Sequence, residues 1–262
     1  MPALDLSGPL IDFPLPSPVL GLAEDHGPGE PIPPHHHDSG QLIHASEGVM
    51  TIGTRDGLWV VPPTRAVWVP PFVTHEIAMS GTVRLRTLYF APSGVPIDSE
   101  RCCVVQVSAL LRAAILRVVD FAQPYSEEGP EARIVGVLMD EIRAAQTAPL
   151  HLPMPKDVRA RRVAEAFRAN PADRRPRSAW AREAGASERT LERLFQAEVG
   201  TSLGKWQQQC RLLRALQVLA SGESVTAAAF EVGFETPSAF IAMFRRAMGT
   251  SPARYFSASA EV

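Results

Sequence analysis

The sequence lacks the features that mark several large classes of protein. Its 262 residues include three cysteines, Cys102, Cys103 and Cys210, without the paired spacing of a disulfide framework or a zinc site. No basic stretch followed by an apolar core stands at the N-terminus, and proline interrupts the apolar segments well short of the roughly 18 residues that a membrane span requires. A glycine-rich phosphate loop and a recognisable Ser-His-Asp set are also missing. We therefore expect a cytoplasmic protein with no membrane segment and with reduced, structural thiols.

The net charge of the chain is small, but the charges are unevenly divided. The net charge is -2, yet residues 1–155 carry 9 Arg against 17 acidic residues, a net charge of -8. Residues 156–262 carry 17 Lys or Arg against 11 acidic residues, a net charge of +6. A basic half indicates a polyanionic partner for that half alone, although charge by itself does not distinguish DNA from RNA or an anionic membrane.

The order of apolar patterns indicates an α+β protein. Residues 1–34 are rich in proline and glycine and predict an extended arm around the first domain. Short apolar runs between 35 and 91, separated by turn residues, predict antiparallel strands that close into a sandwich or barrel. Two helices with apolar stripes follow, around Leu110–Val119 and Ile134–Ile142. These helices either pack on their own barrel or form a homodimer interface.

A proline-rich segment, HLPMPKD at 151–157, coincides with the change of charge sign. We expect the domain boundary there. The predicted organisation is a first domain with its arm at 1–95, connecting helices and linker at 96–157, and an all-α domain at 158–257.

Two fragments of the all-α part repeat each other. FQAEVGTS at 195–202 and FRRAMGTS at 244–251 share the pattern F-x4-G-T-S, and an Ala-x3-Gly precedes each copy. Gly185 and Gly233 suit the left-handed end of a first helix, while Ser187 and Thr236 suit the N-cap of a second. Each copy thus predicts a helix-turn-helix, at about 178–199 and 225–248.

The segment between the copies, at 202–221, predicts one helix of about 20 residues, roughly 30 Å long. Successive major grooves on one face of B-DNA lie about 34 Å apart, so this helix would hold two recognition helices at a matching separation. The alternative is a plain helical array without DNA binding.

The stretch from 159 to 256, with GASERTLERLFQAEVGTSLGKW and SVTAAAFEVGFETPSAFIAMFRRAMGTSPARY, resembles the DNA-binding domain of AraC/XylS-type transcription regulators. In that family the exposed N-terminal face of the first recognition helix reads bases, and the arginine and glutamate side chains on that face here could do so. The alternative is that Glu192 only pairs with a neighbouring arginine. In the second recognition helix Ala242 stands where relatives often carry a long polar residue, which implies weaker readout and phosphate contacts by nearby arginines. The resemblance implies contact with double-stranded DNA by Ser187, Arg189, Glu192, Arg193, Thr236, Ser238, Ala239, Ala242, Arg245 and Arg246.

Histidines are concentrated in the first domain. His35 and His37 would point to one face of a strand, and His75 on a facing strand could complete a site beside Gln41. Imidazole clusters of this kind suit Fe, Ni, Cu or Zn. The alternative is a metal-free pocket lined by neutral histidines.

This arrangement resembles a cupin barrel, in which His-x-His and a later histidine hold a metal ion. Gln41 replaces the acidic ligand and Phe72 replaces a glycine, and both departures weaken the match. AraC-type regulators with a cupin-like domain often bind a small effector in the barrel, and the resemblance implies one here. Trp59, Trp68 and Tyr89 would line the pocket, or else belong to the core.

These observations predict a DNA-binding transcription regulator whose cupin-like domain senses a small molecule or one divalent transition metal ion. The alternative is a metal-dependent cupin enzyme, a dioxygenase or isomerase, fused to a DNA-binding domain. Its acid or base would have to be Glu76, which as the strand neighbour of His75 is expected to face away.

Overall fold

The computed structural model describes residues 15–94, 96–97, 100–146 and 150–257, so the first 14 residues of the predicted arm lie outside it. The chain separates into two compact units. The N-terminal unit contains most of the chain up to His151, and the C-terminal unit contains Asp56–Leu58 and the chain from Leu152 onward. Within the described residues, no helix is both long enough and apolar enough to cross a membrane.

An antiparallel sheet dominates the N-terminal part of the chain. Its spatial order is β1-β6-β3-β4-β8, with β2 beside β6 and with β5 beside β3 and β7. The strands are β1 (Val19–His26), β2 (Pro31–His35), β3 (Gly40–Thr54), β4 (Gly57–Val61), β5 (Arg65–Val69), β6 (His75–Phe90), β7 (Cys103–Gln106) and β8 (His151–Pro153).

The structure differs from the prediction for this domain in two ways. The strand pairings among the described residues branch and do not return to the first strand, so the predicted closure is wrong. The supposed arm contains β1 and β2, because β1 pairs along its whole length with β6, from Val19 opposite Phe90 to His26 opposite Val83. Backbone pairing holds this strand while all but one of its side chains are partly buried or exposed, so its apolar pattern is weak.

Two helices, α1 (Ala109–Val119) and α2 (Pro130–Ala144), cover one face of this sheet. The helices contribute to a single core cluster through Leu111, Ala114, Ile115, Val118, Leu138 and Ile142, and the strands contribute Val19, Leu42, Ala66, Trp68, Leu88, Phe90 and Val105. Most of each apolar stripe therefore packs on its own sheet, which was one of the two alternatives, while Leu110 and Val137 are exposed. Gly21 permits the close approach, since a Cβ there would lie 2.6 Å from the Cα of Val119.

The C-terminal unit is helical. Its helices are α3 (Val158–Ala169), α4 (Arg177–Glu183), α5 (Glu188–Val199), α6 (Leu203–Ala220), α7 (Val225–Glu231), α8 (Pro237–Met248) and α9 (Pro252–Ser257). The pairs α4–α5 and α7–α8 are the two predicted helix-turn-helix motifs, and α6 is the predicted connecting helix. At about 1.5 Å per residue its 18 residues span roughly 27 Å.

The repeated F-x4-G-T-S pattern ends one helix and begins the next. The phenylalanine of each copy is fully buried, and the glycines, Gly200 and Gly249, take left-handed φ angles of 75° and 77°. The serine then caps the following helix: Ser202 Oγ accepts from the backbone N–H of Lys205, and Ser251 Oγ accepts from that of Arg254. The sequence pattern recurs because each motif needs a buried phenylalanine, a glycine that ends its second helix and a serine that caps the next helix.

The turns inside the motifs also follow the predicted chemistry. Gly185 and Gly233 have φ angles of 65° and 83°. Ser187 caps α5 by accepting from the N–H of Thr190, and Thr236 caps α8 by accepting from the N–H of Ala239. Local sequence therefore determines both turns.

Candidate functional site

Three histidines converge on one side of the sheet. His35 ends β2, His37 follows it, and His75 begins β6 directly opposite His35. One ring nitrogen of each lies within 4.8 Å of the other two. The ring centroids of His35 and His75 are 4.3 Å apart, and those of His37 and His75 are 5.2 Å apart. The structure thus brings together all three histidines that the sequence singled out.

Backbone carbonyls orient each imidazole ring. His35 Nδ1 lies 2.8 Å from the carbonyl oxygen of Pro33, His37 Nδ1 lies 2.6 Å from that of Ser39, and His75 Nδ1 lies 2.9 Å from that of Val73. A carbonyl oxygen only accepts, so Nδ1 carries the proton in all three rings. In the neutral rings each Nε2 then presents a lone pair, which is the arrangement of metal-binding histidines.

Gln41 adds an oxygen to this cluster. Thr87 hydroxyl donates to the carbonyl of Leu42 at 3.2 Å, so it can only accept from the Gln41 side chain. The amide nitrogen of Gln41 therefore faces Thr87, at 2.9 Å, and its Oε1 faces the rings. Oε1 lies 3.0 Å from His37 Nε2 and 3.1 Å from His75 Nε2.

Burial favours the neutral form of two of these rings, His37 and His75. His35, His37, His75 and Gln41 are all buried. Desolvation by burial lowers the pKa of His37 below 6.5 and lowers that of His75 to about 3. Since neither Nε2 then has a proton to donate to Oε1, the cluster consists of buried acceptors facing one another.

Such a set of acceptors fits a cation. Ligand atoms about 2.1 Å from a common ion lie roughly 3.0 to 3.4 Å apart when they are neighbours, which matches the two contacts of Gln41 Oε1. Three imidazole nitrogens and an amide oxygen suit a divalent transition metal ion. His44 is fully buried but lies outside the cluster, and its Nδ1 donates to the carbonyl of Arg65 at 3.0 Å.

The three aromatic residues expected to line a pocket lie in different places. Tyr89 is at the cluster: it pairs with Gln41 across the sheet, hydrogen-bonds the Gln41 side chain and meets the His37 ring edge-on at 5.2 Å. Trp68 pairs with Leu42 and lies in the core under α1 and α2, on the other face of the sheet. Trp59 stacks on His151 at 4.4 Å. Only Tyr89 is placed where the pocket was predicted.

A turn at Phe72 secures both sides of the cluster. The backbone N–H of Phe72 donates to the carbonyl of His37 at 2.8 Å. The carbonyl of the following residue, Val73, orients the ring of His75. Phe72 adopts a positive φ of 62° although it is not glycine, and its side chain is 67% exposed. Phe72 therefore adopts the left-handed backbone conformation that a glycine would have at this position of the second cupin motif.

Sequence reasoning missed the supports of the site. Thr87 sets the orientation of Gln41, and the carbonyls of Pro33, Ser39 and Val73 set the ring tautomers. Thr87 stands two residues before Tyr89, hence on the same face of β6, and this period-two spacing was the one available signal.

The two recognition helices, α5 and α8, form the candidate nucleic-acid interface. Arg189 and Arg193 are exposed and Glu192 is half-buried on α5. None of the three makes an ion pair with another residue that the structure describes, so the predicted alternative of a local pair for Glu192 has no support there. The caps Ser187 and Thr236 are exposed at the starts of the two helices.

On α8 the corresponding surface carries small side chains. Ser238, Ala239 and Ala242 are exposed, and Arg245 and Arg246 stand exposed in the last turn. Phe240 and Phe244 point into the core and are fully buried. The first helix thus offers long charged groups to a ligand near its start, whereas the start of the second offers short side chains and its long charged groups stand only in the last turn.

Both halves of the chain match known families. Residues 17–128 match an AraC-like ligand binding domain, and residues 180–258 match a helix-turn-helix domain. The HTH-type transcriptional regulator NimR of Escherichia coli (strain K12) is 35% identical over 225 residues, which cover 86% of this chain and 82% of NimR. RipA of Corynebacterium glutamicum, another HTH-type transcriptional regulator, is 35% identical over 103 residues, which cover 39% of this chain and 31% of RipA.

Among solved structures, ToxT from Vibrio cholerae O395 is 10% identical with a TM-score of 0.41, and the match covers 94% of this chain and 99% of ToxT. The DNA-binding domain of AdpA in complex with a target DNA is 31% identical with a TM-score of 0.36, and it covers 38% of this chain and 90% of that domain. The likeness to NimR is long enough to include both units. The chain therefore belongs to the AraC family of transcriptional regulators, with a ligand-binding domain ahead of its DNA-binding domain.

Proposed function

We propose that the C-terminal unit reads DNA chiefly through α5 and holds it through α8. The observation that carries this proposal is the contrast between exposed, ion-pair-free Arg189 and Arg193 on α5 and the small exposed side chains on α8. Arginine can bind guanine through two hydrogen bonds, while Ala239 and Ala242 can only touch apolar groups such as thymine methyls. Arg245 and Arg246 then serve the phosphates.

Two variants distinguish base recognition by α5 from phosphate contacts by α8. A duplex selected from a random library and a random duplex of equal length are titrated with the wild-type protein, Arg193→Ala and Arg246→Ala over a range of salt. Arg193→Ala should lose about 5- to 150-fold on the selected duplex and little on the random one. Arg246→Ala should weaken both equally and reduce the salt slope by about 0.9. Equal losses on both duplexes for Arg193→Ala would refute its reading role.

For the N-terminal unit, the proposal is a divalent transition metal ion held by His35, His37, His75 and Gln41. Its support is the meeting of unprotonated Nε2 atoms with Gln41 Oε1 in a buried place, an arrangement that repels itself without a cation. A bound ion would supply a Lewis acid and an anchoring point for an effector.

Elemental analysis of untagged protein tests the metal site. We expect about one equivalent of metal per chain in the wild type and none in a His35→Ala, His37→Ala double variant. The matched control is His44→Asn, which changes a buried histidine of the same unit outside the cluster and should keep the metal. Absence of metal from wild-type protein, even after incubation with Zn²⁺ or Co²⁺, would leave a metal-free histidine pocket.

The proposed role of this site is sensing rather than catalysis. Glu76, the acid or base that an enzyme would need, lies opposite Gly53, and its carboxylate occupies the space beside that glycine. Because side chains alternate along a strand, Glu76 faces away from His75. Conversion of a candidate ligand by the loaded protein would contradict this view.

A homodimer stays a prediction. The apolar stripes of α1 and α2 are used by the sheet, so a dimer would form through exposed side chains such as Leu110 and Val137. Sedimentation equilibrium of the wild type and Leu110→Glu tests this: a dimer in the wild type that dissociates in the variant is expected, and a monomeric wild type would reject it.

A further inference from the structure

The four candidate ligand atoms carry no charge. Three are nitrogens of imidazoles whose protons are given to carbonyl oxygens, and the fourth is an amide oxygen. A divalent ion held by them would keep its whole positive charge. Where proteins bind such ions with carboxylate ligands, the ligands themselves cancel part of that charge.

The described surroundings add no carboxylate ligand to these four atoms. Asp38 and Glu24 act only through space, on His37 and Tyr89 respectively. Among the described histidine, cysteine and acidic side chains, the cluster includes the three histidines and no carboxylate. A net charge in a buried place costs several kcal/mol unless an opposite charge joins it. Within the described residues no ligand supplies the opposite charge, and an anion bound to the ion would supply it.

Tyr89 stands where it can select that anion. It lies directly across from Gln41 on the same face of the sheet, and its ring and that of His37 are nearly perpendicular, with centroids 5.2 Å apart. Its hydroxyl is already hydrogen-bonded to the Gln41 side chain. A phenol beside a metal ligand can donate to an oxygen of an anion bound to the same metal.

We propose that the ligand of this domain is a small organic carboxylate, bound to the metal ion at His35, His37, His75 and Gln41, with the Tyr89 hydroxyl donating to its oxygen. The proposal rests on the metal site proposed above. A neutral molecule of the same shape would leave the charge of the ion uncompensated, so the site should favour the carboxylate over the corresponding amide.

The visible absorption of bound Co²⁺ tests carboxylate binding without an assay of activity. The full-length protein is loaded with Co²⁺, and its visible absorption is followed during titration with acetate and benzoate and with the matched neutral amides, acetamide and benzamide. We expect the two carboxylates to change the cobalt bands with saturation, and the amides to have no effect. The same carboxylates should not shift the melting temperature of metal-free protein.

Two tyrosine variants complete the test. Tyr89→Phe should still bind Co²⁺ but should lose about tenfold to a hundredfold in carboxylate affinity, because it loses one hydrogen bond to a charged group. Tyr125→Phe is the matched control: Tyr125 is a buried tyrosine of the same unit whose hydroxyl accepts from the N–H of Val19, and its loss should leave carboxylate affinity unchanged.

The outcomes separate the two proposals. Failure to bind Co²⁺ would overturn the metal site. Cobalt binding with bands that carboxylates leave unchanged, or change no more than amides do, would keep the metal site and overturn the carboxylate ligand. Equal affinities in the wild type and Tyr89→Phe would remove Tyr89 from the ligand site.

Discussion

The buried histidine His44 makes the stability of the protein depend on pH. It lies on β3 opposite Arg86, donates from Nδ1 to the carbonyl of Arg65, and its Nε2 is buried without a hydrogen-bond partner among the described residues. Burial lowers its pKa from 6.5 to about 4, and the positive charges of Arg112 and Arg86 act in the same direction.

The sign follows from where the proton binds. The unfolded chain takes up the proton near pH 6.5, and the folded chain only near pH 4. The contribution of His44 is therefore fully present above pH 6.5 and is lost as pH falls from 6.5 to about 4. The interval between the two pKa values corresponds to a loss of about 3 kcal/mol in the free energy of unfolding.

Urea unfolding of the full chain, followed by tryptophan fluorescence between pH 7.5 and 4, measures this loss. His44→Asn removes the titration, and its amide can still donate to the Arg65 carbonyl. The variant should be less stable at pH 7.5, because a smaller side chain fills the site, yet it should lose about 3 kcal/mol less than the wild type on acidification.

The control is His26→Asn, which removes an imidazole that lies against Glu24 and Glu30 near the surface. It should not diminish the loss of stability in acid. Parallel pH curves for wild type and His44→Asn would refute the reasoning, since they would mean that His44 is protonated in the folded state as readily as in the unfolded one.

Four further outcomes are expected. Phe72→Gly should raise the unfolding free energy by about 1 kcal/mol, because a non-glycine residue is strained at φ 62° and its exposed ring contributes little burial; lower stability in urea would contradict this. Gly249→Ala should cost about 1 kcal/mol in the same assay, since its φ of 77° is left-handed, and an unchanged midpoint would count against the strain. Glu198→Ala should lower the melting temperature, because the carboxylate accepts two backbone N–H groups at the start of α3, and Glu198→Gln should lose less; equal losses would reject this. Gln41→Glu should tighten Zn²⁺ binding by supplying the missing charge, as measured by competition with a chelator, and weaker binding would argue against Gln41 as a ligand.

The sequence predicted the helical unit well because the residues that start and end each helix are close together in the chain. Glycine at a left-handed helix end, serine or threonine at the next N-cap and a buried phenylalanine are set by residues a few positions apart. Ser187 and Thr236 therefore cap the predicted helices, and Gly200 and Gly249 end them as the repeated pattern indicated. The boundaries of α5 and α8 agree with the prediction to within one turn.

The sheet was predicted less completely because pairing is a long-range property. Strand β1 was read as part of an arm, since only one of its residues is buried and the residues of β6 that pair with it lie more than 50 positions later in the chain. Trp68 was expected either at the pocket or in the core, and its register opposite Leu42 turns it toward α1 and α2, into the core. One-residue changes of register move a side chain to the other face, so short apolar runs do not determine which face is which.

By itself, the sequence determined the two helix-turn-helix motifs, the helix that joins them and the histidines that could share a site, because spacing along one chain segment fixes each of these. Tertiary structure decided which nitrogen of each imidazole is free, which atom of Gln41 faces the rings, and that Tyr89 rather than Trp68 stands beside them. Those choices depend on carbonyls and hydroxyls brought in from other strands, such as Thr87, and a hydrogen bond has its direction only once both partners are in place.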